Sequence, residues 1–232
     1  MQGEEPVDMT ERSYGQFCPV AMASEILASR WTLVLLGEML SGSTRFNEIL
    51  RGVPRMSPAL LSKRLKDLQR NGVVRRADTG HGKEYRLTDA GHDLAPVIRA
   101  LGEWSMRWVD HQCTLGNLDA QLLMWNMRRK INPDPLPPRR IVVEFIYPEL
   151  TKDKRHYWLI VSPSTGAELC SIDPGFDVDL YVTADLKAMT SAWMGMSKMV
   201  DEIAAGRITL TGDPDLVRTL GGWMKLSSFA PS

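Results

Sequence analysis

Residues 56–72 read M-S-P-A-L-L-S-K-R-L-K-D-L-Q-R-N-G, and this stretch predicts a single helix with two unlike faces. Ser57 can accept a hydrogen bond from the free backbone N–H groups at a helix start, and Pro58 suits the first turn, where its missing N–H costs nothing. The pair N-G at 71–72 favours a left-handed end. Leucines recur along one side at the i, i+4, i+7 spacing of a buried stripe: Leu61, Leu65 and Leu68.

The other side of this helix is small and polar in its first turn and cationic further along. It carries Ala59, Ser62, Lys63, Lys66 and Arg70. A helix that enters the DNA major groove needs small or hydrogen-bonding groups for base edges and cations for phosphates. A basic face is more often simply solvated, so the helix alone does not establish DNA binding.

The segments on both sides of the helix complete a winged helix-turn-helix pattern. Residues 45–51 predict a short helix, and the G-V-P break at 52–54 joins it to the basic helix in helix-turn-helix order. Residues 73–87 then predict two strands around a D-T-G-H-G-K loop, a hairpin whose basic tip can contact phosphates or the minor groove. We predict base contacts from Ser57, Ala59, Ser62 and Lys63, and phosphate contacts from Lys66, Arg70, Arg75, Arg76, His81 and Lys83. The other interpretation of His81 is a solvated loop histidine.

The distribution of charge favours a polyanionic partner for this segment. The whole chain holds 28 cationic and 28 anionic side chains, so its net charge is zero. Residues 41–90 hold eleven of the cations and five of the anions, which leaves a local charge of +6 (eleven minus five). Local positive charge in an otherwise neutral protein is typical of a nucleic-acid-binding surface.

The residues after the hairpin predict a helix with more apolar surface than one small domain can cover. Residues 88–110 contain two tryptophans one helical turn apart, together with other apolar side chains: Leu94, Val97, Ile98, Leu101, Trp104, Met106 and Trp108. Such a surplus predicts a partner helix, most simply from a second copy of the chain. We therefore expect a homodimer that forms through helix 88–110.

Several blocks between residues 17 and 112 resemble the HxlR family of winged helix-turn-helix regulators, a branch of the MarR-like proteins. The blocks are C-P-V at 18–20, R-W-T-L at 30–33, R-F-N-E-I at 45–49, the S-x-x-x-L-S-x-R-L-K-x-L run at 57–68 and E-Y-R-L-T-D-A-G at 84–91. The resemblance implies a homodimer, binding of double-stranded DNA and control of transcription. It also implies a core position for Trp31 and a structural role for Arg64.

The rest of the chain predicts a second domain, which makes the protein multidomain and α+β. A helix at 119–131 precedes a stiff connector, because four prolines lie within residues 133–138. Strands are predicted at 141–146, 156–161, 167–172, 177–183 and 207–213, in a mixed sheet with helices packed on one face. The predicted domains are a flexible arm at 1–16, the winged helix domain at 17–112, a helix and linker at 113–140 and a ligand-binding domain at 141–232.

This C-terminal part resembles the sterol-carrier-protein (type two) lipid-binding fold. The resemblance rests on V-D-L-Y-V-T at 178–183 and G-R-I-T-L-T-G-D at 206–213, and it implies an apolar tunnel between sheet and helices. Seven of the thirteen methionines follow residue 113, and methionine suits an adaptable apolar pocket. We predict that an apolar small molecule or lipid contacts Trp158, Met189, Trp193, Met196 and Met199. Ordinary core packing is the other interpretation of these side chains.

No sequence motif indicates catalysis, a cofactor or a bound metal. The common nucleotide-binding, hydrolase and zinc-protease motifs are missing from the sequence, and the four histidines do not pair at metal-ligand spacing. Three cysteines are too few and too scattered for a disulfide framework. This use of cysteine favours the cytoplasm, and no apolar run approaches the ~20 residues of a membrane span, so we expect a cytoplasmic protein with no membrane partner.

Cys18 is the one reactive candidate, because it precedes a helix whose free N–H groups can lower a thiol pKa. In some members of the resembled family a cysteine at this place senses oxidants or electrophiles, and the other interpretation is an unreactive, packed cysteine. Three hypotheses of function follow. The first is a DNA-binding regulator with an apolar effector, the second a redox regulator that uses Cys18 with a structural C-terminal domain, and the third a lipid carrier with incidental DNA binding.

Overall fold

The computed structural model describes residues 13–80, 82–109 and 115–230, and it divides the chain into two compact units. The N-terminal unit comprises Met1–Ala100 and the C-terminal unit Leu101–Ser232. The sequence pattern places the boundary about twelve residues later, after the predicted dimer helix. The compact units instead divide within the helix predicted at 88–110.

The N-terminal unit is built from short helices and one hairpin. Its helices are α1 (Pro19–Leu27), α2 (Thr32–Leu40), α3 (Phe46–Gly52), α4 (Pro58–Arg70), α5 (Asp89–His92) and the start of α6 (Ala95–Trp108). Its hairpin consists of β1 (Val74–Thr79) and β2 (Gly82–Leu87). Helices α3 and α4 followed by the hairpin give the predicted helix-turn-helix and wing.

Helix α4 forms where the sequence predicts it and for the predicted reasons. The backbone N–H of Leu60 donates to Ser57 Oγ at 3.3 Å, and Gly72 adopts a left-handed φ of 69° after the last turn. The leucine stripe of α4 is buried against α2, α3 and the base of the hairpin. This burial fixes which side of α4 faces solvent.

The wing is attached to the helices at its base. The backbone N–H of Tyr85 donates to Thr44 O at 2.7 Å, and the Thr88 hydroxyl donates to Gly72 O at 2.6 Å. Gly91 lies so close that a Cβ there would stand 2.4 Å from Val73 O. The hairpin therefore has a defined direction relative to α4.

The helix predicted at residues 88–110 is interrupted, which corrects the sequence interpretation. The chain forms α5, turns at residues 93–94 and starts again as α6. Pro96 explains the break, since proline has no N–H for the carbonyl of His92 and its ring clashes with that carbonyl. Proline is tolerated in a first turn, which is where α6 places it.

The C-terminal unit is an α+β layer around a five-stranded sheet. Its strands are β3 (Ile141–Ile146), β4 (His156–Ser162), β5 (Gly166–Cys170), β6 (Leu180–Ala184) and β7 (Ile208–Gly212), in the spatial order β5-β4-β3-β6-β7. The β3–β6 pair is parallel and the other pairs are antiparallel. The α+β class and the mixed sheet are thus confirmed, while the sterol-carrier-like identity stays a prediction.

One face of this sheet, here called the inner face, carries the core. Its helices are α7 (Ala120–Arg128), α8 (Leu186–Trp193), α9 (Met199–Ala204), α10 (Pro214–Arg218) and α11 (Leu220–Trp223). The inner face presents alternate strand residues to them, among them Val143, Phe145 and Leu159. Trp223 closes this core, and its indole N–H donates to Leu216 O at 3.0 Å.

The segment that we predicted to be a helix and linker is largely packed against this core. Leu123, Met124 and Met127 of α7 are buried in it. Leu136 of the proline-rich stretch packs against the same core, and the Asn132 N–H donates to Trp223 O at 2.8 Å. Proline composition predicts stiffness, but it does not show whether the stiff segment has a surface to pack on.

Among the described residues, no single helix is long and apolar enough to cross a bilayer. Helices α1 and α2 reach that length and composition only as a pair, and the pair is bent by 82° at its junction.

Candidate nucleic-acid interface

The face of α4 opposite the leucine stripe is open to solvent. Ser57, Ala59, Lys63, Lys66 and Arg70 are exposed, and Ser62 is half-buried. The structure therefore brings the predicted contact residues of α4 onto one surface. The small residues lie in the first turns and the cations follow, in the order that a helix entering the major groove requires.

The cations of α4 differ in their acidic partners. Arg70 lies 3.6 Å from Asp67, so part of its charge is compensated within the helix. Lys63 and Lys66 make no ion pair with any residue that the structure describes. Unpaired exposed cations keep their full attraction for a polyanion, so these two lysines dominate the charge of the α4 surface.

Arg64 has the structural role that the family resemblance implies. Its Nε donates to Arg30 O at 3.3 Å and its Nη1 contacts Asp67 at 3.3 Å. The first bond joins α4 to the start of α2, where Trp31 adopts a left-handed φ of 79° and packs against the core. Arg64 is thus turned away from the open face.

The wing adds cations next to this face. Arg75 and Lys83 are exposed and lack an acidic partner within ion-pair distance in the described part of the chain. Arg76 lies 3.6 Å from Asp78, and Arg86 contacts Glu84 at 2.8 Å. His81, the remaining predicted contact, lies outside the described residues.

The sequence analysis included two cations in its charge count but gave them no role: Arg45, which precedes α3, and Arg51 within it. Arg45 and Arg51 line a hollow of about 360 Å³ together with Lys83 of the wing. Glu48 also borders it, but its carboxylate accepts the N–H groups of Thr44 and Arg45 at 3.2 and 3.1 Å and so caps α3. Arg45, Glu48 and Arg51 follow one another at three-residue steps, which places them on one side of a helix, and this sequence pattern could have predicted the cationic hollow.

The outer side of α6 is an apolar stripe. Val97, Leu101, Trp104 and Trp108 are 45%, 45%, 59% and 69% exposed. Leu94 and Ile98 turn the other way and pack against the core of the N-terminal unit. The stripe residues follow one another at steps of four, three and four, which is the spacing of a helix–helix seam.

The structure does not bring the five predicted ligand contacts together. Met189 and Trp193 are buried in the core on the inner face, and Met199 packs against that core. Met196 is half-buried in the turn after α8. Trp158 lies on the opposite face of the sheet, because Tyr157 and Leu159 on either side of it point to the core.

Cys18 lies directly before α1 and is partly exposed. Within the described residues the Cys18 side chain makes no capping hydrogen bond. The backbone N–H groups of Ala21 and Val20 stabilise the thiolate and lower the pKa of Cys18. In the described part of the chain, no group of histidine, cysteine and acidic residues has the arrangement of a metal site.

Comparison with known proteins places the similarity in the N-terminal part. The HxlR-like helix-turn-helix family model matches residues 26–113. The uncharacterized HTH-type transcriptional regulator YvaP of Bacillus subtilis is 39% identical over 99 residues, which are 41% of this chain and 92% of YvaP. The regulator YdeP of the same organism, also uncharacterized, is 32% identical over 96 residues, 40% of this chain and 75% of YdeP.

Solved structures include similar chains. The redox regulator HypR in its reduced form is 28% identical, and the match covers 42% of this chain and 99% of HypR with a TM-score of 0.39. The family model ends at residue 113, so the sheet of the C-terminal unit lies outside its match.

Proposed function

This chain belongs to the HxlR-like helix-turn-helix family, and we propose on that basis that it is a homodimeric transcription regulator that binds double-stranded DNA. Helix α4 would enter the major groove, and the wing would follow the phosphate backbone beside it. Such a protein acts where the DNA is, which for a bacterial-type regulator is the cytoplasm.

The observation that carries this proposal is the set of unpaired cations. Two adjacent elements expose cations that have no acidic partner among the described residues. They are Lys63 and Lys66 on α4 and Arg75 and Lys83 on the wing. Both elements are fixed to the core, α4 by its leucine stripe and the wing by the bonds at its base. A rigid surface with unpaired cations favours a regular polyanion such as duplex DNA.

The apolar stripe of α6 supports the dimer. Its members are large, its spacing is that of a helix pair, and water contact with such a stripe is unfavourable. A two-fold pairing of α6 with its copy would cover both stripes with one interface. Two copies of α4 could then address two half-sites.

Selection of bound fragments from random double-stranded DNA tests the proposal. We expect the full chain to enrich an inverted repeat whose half-sites lie about one helical turn, ~34 Å, apart. A parallel selection without protein corrects for amplification bias. Bound fragments that share no sequence would contradict the proposal.

The C-terminal unit is proposed to bind the effector, with an apolar small molecule or lipid as the predicted guest. The indole Nε1 of Trp193 supports a guest with an acceptor oxygen, because this buried donor has no hydrogen-bond partner in the described part of the chain. Met189 beside it is fully buried, so such a guest requires the helices to separate from the sheet. Native mass spectrometry of the purified chain tests this, since a guest adds its mass.

A redox response through Cys18 is the second candidate, favoured by the position of the thiol before α1. Because the N–H groups of Ala21 and Val20 lower its pKa, the thiolate should persist at lower pH than in an ordinary cysteine. We expect the rate of iodoacetamide labelling of Cys18, read by peptide mass spectrometry, to rise with pH at a midpoint below that of free glutathione.

One control variant and two contrary outcomes test the redox candidate. Cys18→Ser removes the labelled peptide and identifies the site. If the midpoint for Cys18 equals that of glutathione, the thiol is not activated. Oxidant-induced release of DNA that survives Cys18→Ser would exclude Cys18 as the sensor.

A further inference from the structure

The outer face of the C-terminal sheet, opposite the core helices, bears a hollow of about 430 Å³. The register of the strands determines which side chains lie side by side at the base of this hollow. Glu144 of β3 pairs with Trp158 of β4 on one side and with Tyr181 of β6 on the other. A carboxylate is therefore held between two aromatic side chains in one row across the sheet.

Glu144 is an unusual residue for the middle of a strand, because it is only 8% exposed. Its Oε1 lies 2.7 Å from His156 Nδ1, and the His156 ring stacks on Trp158 with centroids 5.8 Å apart at 19°. Its Oε2 has no hydrogen-bond or ion-pair partner among the described residues. The Glu144 carboxylate lines the hollow, with one oxygen held by His156 and the other left as a free acceptor, so this position favours a cation or a strong donor.

The loop between β5 and β6 supplies a further wall. Phe176 of this loop is 40% exposed at the hollow, and Asp173 and Asp177 add two carboxylates to its rim. Arg140 lies 4.1 Å from the Phe176 ring centroid, so that ring already accepts a cation on one face. The hollow thus combines three carboxylates with aromatic walls.

The chemistry of the walls identifies the kind of cation. The described acidic and histidine side chains do not come together in a metal-binding group. Aromatic faces attract organic ammonium groups through their quadrupoles, and a carboxylate between them supplies the opposite charge. A volume of about 430 Å³ lies within the usual range of small-molecule pockets.

We propose that this hollow binds an organic cation, with its ammonium group against Glu144 and between Trp158 and Tyr181. The site differs from the predicted apolar one in both place and chemistry, because it lies on the other face of the sheet and carries acidic groups. The proposal concerns binding alone and does not depend on DNA recognition.

Titration calorimetry on the full chain tests the site, with benzyltrimethylammonium chloride as the probe. We expect this cation to bind at least about tenfold more tightly than benzyl alcohol or sodium benzenesulfonate, which share the ring but not the positive charge. Glu144→Gln keeps the shape of the side chain and should weaken binding of the probe about tenfold.

Two further variants separate the site from general charge and folding effects. Asp177→Asn lies in an exposed loop, leaves the sheet intact and should weaken the probe severalfold. Glu168→Gln removes the same charge from β5, outside the hollow, and should bind the probe like the wild-type chain. The proposal fails if the probe does not bind or if benzyl alcohol binds equally well. It also fails if the Glu168 and Glu144 variants lose the same affinity, or if the Glu144 and Asp177 variants both bind like the wild-type chain.

Discussion

The double variant Leu101→Glu/Trp104→Glu is expected to be monomeric and to bind the selected operator at least about 100-fold more weakly than the wild-type chain. Leu101 and Trp104 lie in the middle of the α6 stripe and are 45% and 59% exposed. In a pair of α6 helices, four new carboxylates would meet at the two-fold axis, where they would repel one another and lose hydration. A monomer binds one half-site at a time, so it loses the affinity that a dimer gains by binding both half-sites together.

Substitution at these positions should spare the fold itself. The side chains here that contribute to the N-terminal core are Leu94, in the turn before α6, and Ile98, on the other side of the helix. Val200→Glu is the matched control, because Val200 is also a solvent-exposed apolar side chain but lies in α9, outside the α6 stripe. Light scattering after size-exclusion chromatography gives the mass, and fluorescence anisotropy with the operator gives the affinity.

The outcome distinguishes a dimer helix from an incidental apolar stripe. The control variant should remain dimeric with unchanged affinity. A dimeric Leu101→Glu/Trp104→Glu variant would place the interface elsewhere. A monomeric variant with wild-type affinity would show that one half-site is enough for recognition.

The sequence predicts the N-terminal unit well because its signals are local. The Ser57 cap and the leucine spacing of α4 each act within a few residues, and each forms the predicted structure. The hairpin also forms, but its strands continue through Thr79 and Gly82 into the segment predicted to be its loop. The break before α6 also has a local cause in Pro96, and sequence reasoning gave too little weight to it. The Arg64–Asp67 and Arg70–Asp67 pairs follow from i, i+3 spacing and could have been predicted.

The outer face of the C-terminal sheet is harder to predict, because the sequence does not show which alternate residues of its strands point outward. The run H-Y-W-L-I-V at 156–161 is apolar on both faces, so its composition does not show whether Tyr157 or Trp158 points to the core. Pairing with β3 and β6 decides this, and it places Trp158 beside Glu144. Contacts between residues distant in the chain therefore determine both the separation of Trp158 from Met189 and the existence of the acidic hollow.

The double variant Lys63→Ala/Lys66→Ala is expected to bind the operator more weakly and with a flatter dependence on salt. Each phosphate contact contributes about −0.9 to the slope of log K against log salt concentration. Lys66, the predicted phosphate contact, occurs once in each of two protomers, so its loss should flatten the slope by about 1.8, and the loss of Lys63 from the base edges should lower the affinity further. Both side chains are exposed on α4 and have no acidic partner in the described part of the chain, so their removal leaves the core intact.

Lys152→Ala/Lys154→Ala is the charge-matched control, since it removes the same formal charge from exposed positions of the C-terminal unit. Anisotropy titrations at several salt concentrations compare the three proteins on the same operator. We expect the control to keep the wild-type slope, because net charge alone adds no phosphate contact. Equal flattening in both variants would mean that overall charge attracts the DNA, and a wild-type slope after loss of Lys63 and Lys66 would mean that α4 does not lie against the duplex.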